Sequence, residues 1–159
     1  MQTVPWGRIH DWSCTTCGQC CQLQVQLTTA EWLSLTREYG YGIASQQTEG
    51  FFISKTIDGW CPFLFRGEHS SCGLQRTKPL ACKLWPFRIS DYPRYGMMEE
   101  SRFHHRGRVF YVYGIPFCRG FRYGTPTNNF TKNVLPEFID ARLGLQPSQV
   151  FTTARFFMK

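Results

Sequence analysis

Four of the eight cysteines fall within eight residues, in the stretch CTTCGQCC from Cys14 to Cys21. No other feature restricts the chain as strongly, because thiols this dense must pair with one another, bind metal or react, and each fate prefers its own spacing. The neighbours Cys20 and Cys21 cannot pair with each other without a strained ring, which weighs against a disulfide framework. A CxxC step lets two sulfurs reach one metal from a tight turn, and Gly18 removes side-chain bulk where the loop must curl. Three cysteines in CxxCxxC spacing are equally what one loop offers a cubane iron-sulfur cluster, with a fourth arriving from elsewhere. The candidate ligands are therefore Cys14, Cys17, Cys20 and Cys21 together with the later Cys61, Cys72, Cys82 and Cys118.

The compartment points the same way. MQTVPWGRIHDWSC shows no continuous apolar h-region before the first cysteines, and apolar runs such as VFYVYG fall far short of the ~20 residues a membrane span needs. A cytoplasmic protein is expected, and in a reducing cytoplasm clustered cysteines are more often ligands or catalytic thiols than disulfides. The 159 residues suit one compact domain, with a cysteine core over about residues 14–118 and a C-terminal helix and apolar tail over about 131–159.

The formal charge of +7 counts every cysteine as neutral. Ligand thiolates would absorb much of it. Residues 1–65 carry three Lys/Arg against five Asp/Glu, and residues 66–159 carry fifteen against six. Arginines scattered without a basic block are weak support for nucleic-acid binding.

Local patterns predict a small α+β fold with short antiparallel strands and flanking helices. QLQVQL, residues 22–27, alternates as a strand does. TTAEWLSLTREYG carries a capping box, Thr28 with Glu31, and a glycine at its end, so a helix is expected. FFISKTIDGWCPFL reads as two strands around Asp58-Gly59, and GEHSSCGL as a second turn. Pro79 opens a helix of one or two turns carrying Cys82 and Leu84, which Pro86 must stop. FRIS and RVFYVYGI read as strands, residues 90–107 as an irregular loop, and NVLPEFIDARLG as a helix starting around Pro136, with a PSQV cap and the tail FTTARFFMK after it.

No phosphate-binding glycine loop, HExxH or paired-carboxylate pattern is present. His104 and His105 are adjacent in SRFHHRGR and would face opposite sides of a strand; these two, like His10 and His69, read as solvated or hydrogen-bonded side chains.

Taken in order, CTTCGQCC, CPFL at 61–64, CGL at 72–74 and KPLACKLWPF at 78–87 resemble the CxxCxxCC family of proteins described as zinc- or iron-chelating, whose usual order ends in RPxxCRxxPF. Here Lys78 and Lys83 stand where that pattern has arginine. The resemblance matches Cys14, Cys17, Cys20, Cys21, Cys61, Cys72 and Cys82, and implies a cysteine-ligated metal centre and a relation to flagellin lysine-N-methylases. Cys118 lies in IPFCRG, a region where such proteins often have a further cysteine. Three functions follow as expectations. The favoured one is a 4Fe-4S cluster protein acting as a small redox or accessory subunit, its apolar tail docking on a protein partner in a larger complex. The second is a zinc-stapled interaction module. The third is a methyl-transfer or oxidoreductase enzyme by analogy with the flagellin methylases.

Overall fold

A computed structural model describes residues 2–74, 77–145 and 150–151. Of the expected PSQV cap, residues 147–149, and of the apolar tail, all but its first residue, lie outside the described residues. In chain order the elements are β1 (Val4–Pro5), β2 (Ile9–Trp12), β3 (Gln26–Leu27), α1 (Thr29–Tyr39), β4 (Ala44–Gln47), β5 (Gly50–Ile53), β6 (Leu64–Phe65), β7 (Ser71–Cys72), α2 (Leu80–Leu84), β8 (Phe87–Ser90), α3 (Met98–Ser101), β9 (Arg102–His105), β10 (Arg108–Gly114), β11 (Phe121–Tyr123) and α4 (Leu135–Arg142). Every strand pairing is antiparallel, so the fold is α+β. No helix among the described residues is long and apolar enough to cross a membrane.

The chain forms two compact units, one from residues 1–15 and 84–159 and one from residues 16–83. In the discontinuous unit β10 is the organising strand. Tyr111 pairs with both Ser90 and Arg102, and Tyr113 with both Arg88 and Pro5, so β8 takes one edge of β10 while β1 and β9 share the other. A second ribbon joins β2 to β11, with a bulge between Arg122 and Tyr123. α4 lays Leu135, Phe138 and Ile139 against Trp12, Phe87 and Phe110, all of them buried. The rings meet edge to face: Phe138 lies 4.7 Å from Phe87 and 5.3 Å from Trp12, a geometry that aromatic quadrupoles favour.

The unit of residues 16–83 is built on less. α1 begins as its sequence requires, since Thr28 Oγ1 accepts from Glu31 N at 3.2 Å and Glu31 Oε2 accepts from Thr28 N at 2.8 Å. β3, β5 and β4 form one sheet, in that order, and β6 and β7 a two-stranded one. The core is Val25, Leu27, Leu35, Ile53, Cys61 and Leu74.

Three expectations are corrected. Residues 90–107 are not an irregular loop throughout, because α3 and β9 occupy 98–105 and β9 forms a hairpin with β10. Arg106 and Gly107 close it with φ of 51° and 71°, the paired left-handed conformation that matches strand twist in two-residue hairpins. Asp58-Gly59 does not join paired strands: β5 pairs back on β4, and Asp58-Gly59 sits in a closed loop where Thr56 N donates to Trp60 O at 2.9 Å. In QLQVQL only Gln26–Leu27 is strand, because the cysteine loop continues as a 3₁₀ turn through Gln22.

Candidate metal centre

Residues 16–83 hold Cys17, Cys20, Cys21, Cys61, Cys72 and Cys82, and local chemistry fixes where each stands. Gly18 takes φ 71° and ψ −1° and begins the 3₁₀ turn Gln19–Gln22 that carries Cys20 and Cys21. A Cβ at Gly18 would stand 3.1 Å from Ser70 Oγ, so both the backbone conformation and the space call for glycine. Cys21 O then accepts from Cys61 N at 2.9 Å, and Lys55 Nζ donates to Cys21 O at 2.9 Å and to Leu23 O at 2.6 Å. Together these bonds tie the cysteine loop to the CPFL segment.

CPFL is itself a turn, closed by Leu64 N on Cys61 O at 3.1 Å. It feeds β6, where Leu64 is the register partner of Cys72 on β7. Cys82 rides on α2, where Cys82 N donates to Pro79 O at 2.9 Å. Glu31 places that helix, since its Oε1 accepts from Leu80 N at 2.7 Å while its Oε2 caps α1. One carboxylate therefore serves the first turns of two helices.

Cys21 is hydrogen-bonded through its side chain to Cys20 and to Cys61. Those bonds hold the proton on Cys21, far above the usual thiol range. They push Cys20 down to about 7, with Lys78 helping against burial, and Cys61 down to about 6, with a backbone bond from Phe63 and the charge of Lys55 helping against burial. Burial pushes Cys72 up, opposed by a backbone bond from Leu74 and by Lys78. Burial pushes Cys82 up further, reinforced by Cys72, Cys20 and Cys61. Cys21 is thus linked to Cys20 and Cys61, whose charges in turn act on Cys72 and Cys82, and two of the five thiols favour the thiolate form that metals require.

Cys17 is exposed, with its Sγ 3.9 Å from Gln19 Oε1, and is not among the five. Cys14 and Cys118 belong to the discontinuous unit, where both pack on its aromatic core and Trp12 Nε1 donates to Cys118 Sγ at 3.4 Å. Cys61 also lines an open pocket of about 330 Å³ with Thr56, Asp58, Trp60, Pro62, Leu64 and Arg66. Arg66 lies over the Trp60 ring, 4.0 Å from its centroid.

Among the described residues, no three or more His, Cys, Asp and Glu side chains converge into a preformed metal site. The donor chemistry nevertheless fits a thiophilic metal, being all sulfur, partly thiolate and flanked by two ammonium groups. Three of the four histidines have other partners: His105 Nε2 meets Asp140 Oδ1 at 2.7 Å, His10 Nδ1 meets Thr125 O at 2.6 Å and His69 Nδ1 meets Thr16 Oγ1 at 3.3 Å. Sequence reasoning did not find Glu31 and Lys55 as supports of the site. Glu31 was visible as a cap, but its second helix lies 49 positions away.

A sequence model of one family, described as "CxxCxxCC: Putative zinc- or iron-chelating domain", matches residues 13–107. No curated protein and no solved structure matches the chain.

Proposed function

We propose that this chain, which belongs to the CxxCxxCC family, carries its metal as an iron-sulfur cluster and works in the cytoplasm as a small redox or accessory subunit. The observation that carries this reading is the set of mutually interacting thiols Cys20, Cys21, Cys61, Cys72 and Cys82, with Cys20 and Cys61 biased toward thiolate. Cys20, Cys61, Cys72 and Cys82 are the ligands best supported, with the single S–H of Cys21 shared between Cys20 and Cys61, a contact that tunes such centres. Bound there, the cluster supplies one-electron chemistry. The pocket beside Cys61 gives that edge of the site access to solvent. A protein partner is supported by the exposed Leu33 and Tyr41 at the surface of α1 and just beyond it.

One observation favours zinc as a second reading. Four ligand thiols with no histidine among them make up the donor count of a closed structural zinc site.

Metal analysis, acid-labile sulfide and an optical spectrum on protein purified without oxygen separate the two. Iron with sulfide and broad visible absorption is the expected result. Stoichiometric zinc without colour would move the assignment to a structural module, and a chain with neither metal would end both readings.

A further inference from the structure

We infer that the open pocket beside Cys61 binds a small zwitterion, a free α-amino acid with an apolar side chain, whose carboxylate lies on Arg66 and whose ammonium lies on Asp58. The inference stands apart from the choice of metal, because none of the contacts it invokes is made by a sulfur.

The pocket measures about 330 Å³, at the small end of ligand-sized cavities and enough for one amino acid. Its two charged lining residues, Asp58 and Arg66, are of opposite sign. Among the described residues neither has a hydrogen-bond or ion-pair partner, and they do not pair with each other. That sets Asp58 apart from the other three aspartates, since Asp11 meets Arg122, Asp91 meets Arg108 and Arg142, and Asp140 meets Arg106. Two opposite charges that share a pocket without meeting form the complement of a molecule carrying both signs. A simple carboxylate would leave Asp58 unmet, and a simple amine would leave Arg66 unmet.

Both charges are held in place by Trp60. The Arg66 guanidinium lies over the Trp60 ring, its Cζ 4.0 Å from the centroid. Stacking of this kind occupies the flat face of the guanidinium and leaves its N–H edge open, the edge that takes a carboxylate through two parallel bonds. Asp58 stands in a loop that the Trp60 backbone closes: Trp60 O accepts from Thr56 N at 2.9 Å, Trp60 N donates to Thr56 Oγ1 at 3.2 Å, and Gly59 N donates to Thr56 O at 2.9 Å. A site fixed in this way loses little freedom when its ligand arrives. Pro62 and Leu64 line the same pocket and offer apolar surface to the side chain of the ligand.

The test is a titration of the 159-residue chain with L-leucine, followed by the NMR signal of the Trp60 indole N–H. L-leucine should shift that signal saturably. N-acetyl-L-leucine, which lacks the ammonium, and L-leucinamide, which lacks the carboxylate, should each bind about tenfold more weakly, the scale of one lost charge-assisted contact. Glycine should also bind more weakly than leucine, having no side chain to lay on Pro62 and Leu64. Asp58→Asn should weaken leucine by a similar factor and leave N-acetyl-leucine unchanged, while Arg66→Gln should weaken leucine and leave leucinamide unchanged. The comparison of ligands on the wild-type chain needs no variant, and thermal unfolding reports the folding of the two variants. No shift up to the solubility limit of leucine, equal binding of leucine and either analogue, or equal binding of leucine and glycine would overturn the inference. Metal content read on the same sample keeps the two readings separate: leucine binding by a metal-free chain leaves this inference standing, and a metal-loaded chain that ignores leucine overturns it alone.

Discussion

Gly18 shows how much of the site hangs on single backbone positions. Its left-handed conformation strains any residue with a Cβ, and the nearby Ser70 side chain would crowd one at 3.1 Å. Gly18→Ala should destabilise the chain by about 1–2 kcal/mol and weaken metal binding, as read by denaturant unfolding and metal analysis. An unchanged unfolding midpoint would mean that the turn is not strained. The thiols should separate in the same way. Cys61→Ser, which removes from the centre a sulfur hydrogen-bonded to Cys21, should lower metal stoichiometry by half or more, whereas Cys17→Ser, at an exposed position outside the five, should leave it near wild type. Equal losses in the two would remove the distinction drawn between them. Asp140 gives a prediction in acid. The Arg106 guanidinium and then His105 hold its carboxyl below the ordinary 3.8. A depressed carboxylate stabilises the fold above its unfolded value, and that contribution disappears as pH falls through the folded one. Asp140→Asn should therefore cost about 1 kcal/mol at neutral pH, and the gap from wild type should close below about pH 4.

Among the elements, Glu31 is where one residue reaches two helices. Glu31→Ala removes the capping box of α1 and the acceptor for Leu80 N at the start of α2. It should cost about 2 kcal/mol and weaken metal binding, because Cys82 rides on α2; normal affinity in a destabilised variant would uncouple cap from site. The elements that were legible share a property: their signals are local. α1 was announced by Thr28 and Glu31, α2 by its bracketing Pro79 and Pro86, and β8 and β10 by runs of apolar residues. β1, β2 and β4 gave no comparable sign. They are two to four residues long, and what makes them strands is a partner distant in sequence or, for β4, a turn without a strong signature. β9 was hidden because Arg106-Gly107 is a less familiar hairpin turn than Asn-Gly, although Phe103 and Phe110 on either side are both buried and paired. For the site, the sequence revealed which cysteines belong to one pattern. It could not reveal that Cys21 bonds to Cys20 and Cys61, because that depends on how the 3₁₀ turn meets the CPFL segment.

At the scale of the whole chain, the two units have different sources of stability. The discontinuous unit has a core rich in phenylalanine and tryptophan, while residues 16–83 close around a smaller set of apolar residues and six of the eight cysteines. Small units without a sufficient core depend on metal or disulfide staples. Removing the metal with a chelator should therefore abolish amide hydrogen-exchange protection in α1, β3 and β5, while Phe110, Val112 and Phe138 stay protected. Uniform loss across the chain would show that the units unfold as one.

The discontinuity also orders events during synthesis. Val4 pairs with Gly114, about a hundred residues further along, so at translation speeds β1 waits about 5–20 seconds for its partner to be made. Residues 16–83 are complete well before then. Six of the eight thiols are therefore synthesised as a finished set while the first strands are still unmatched.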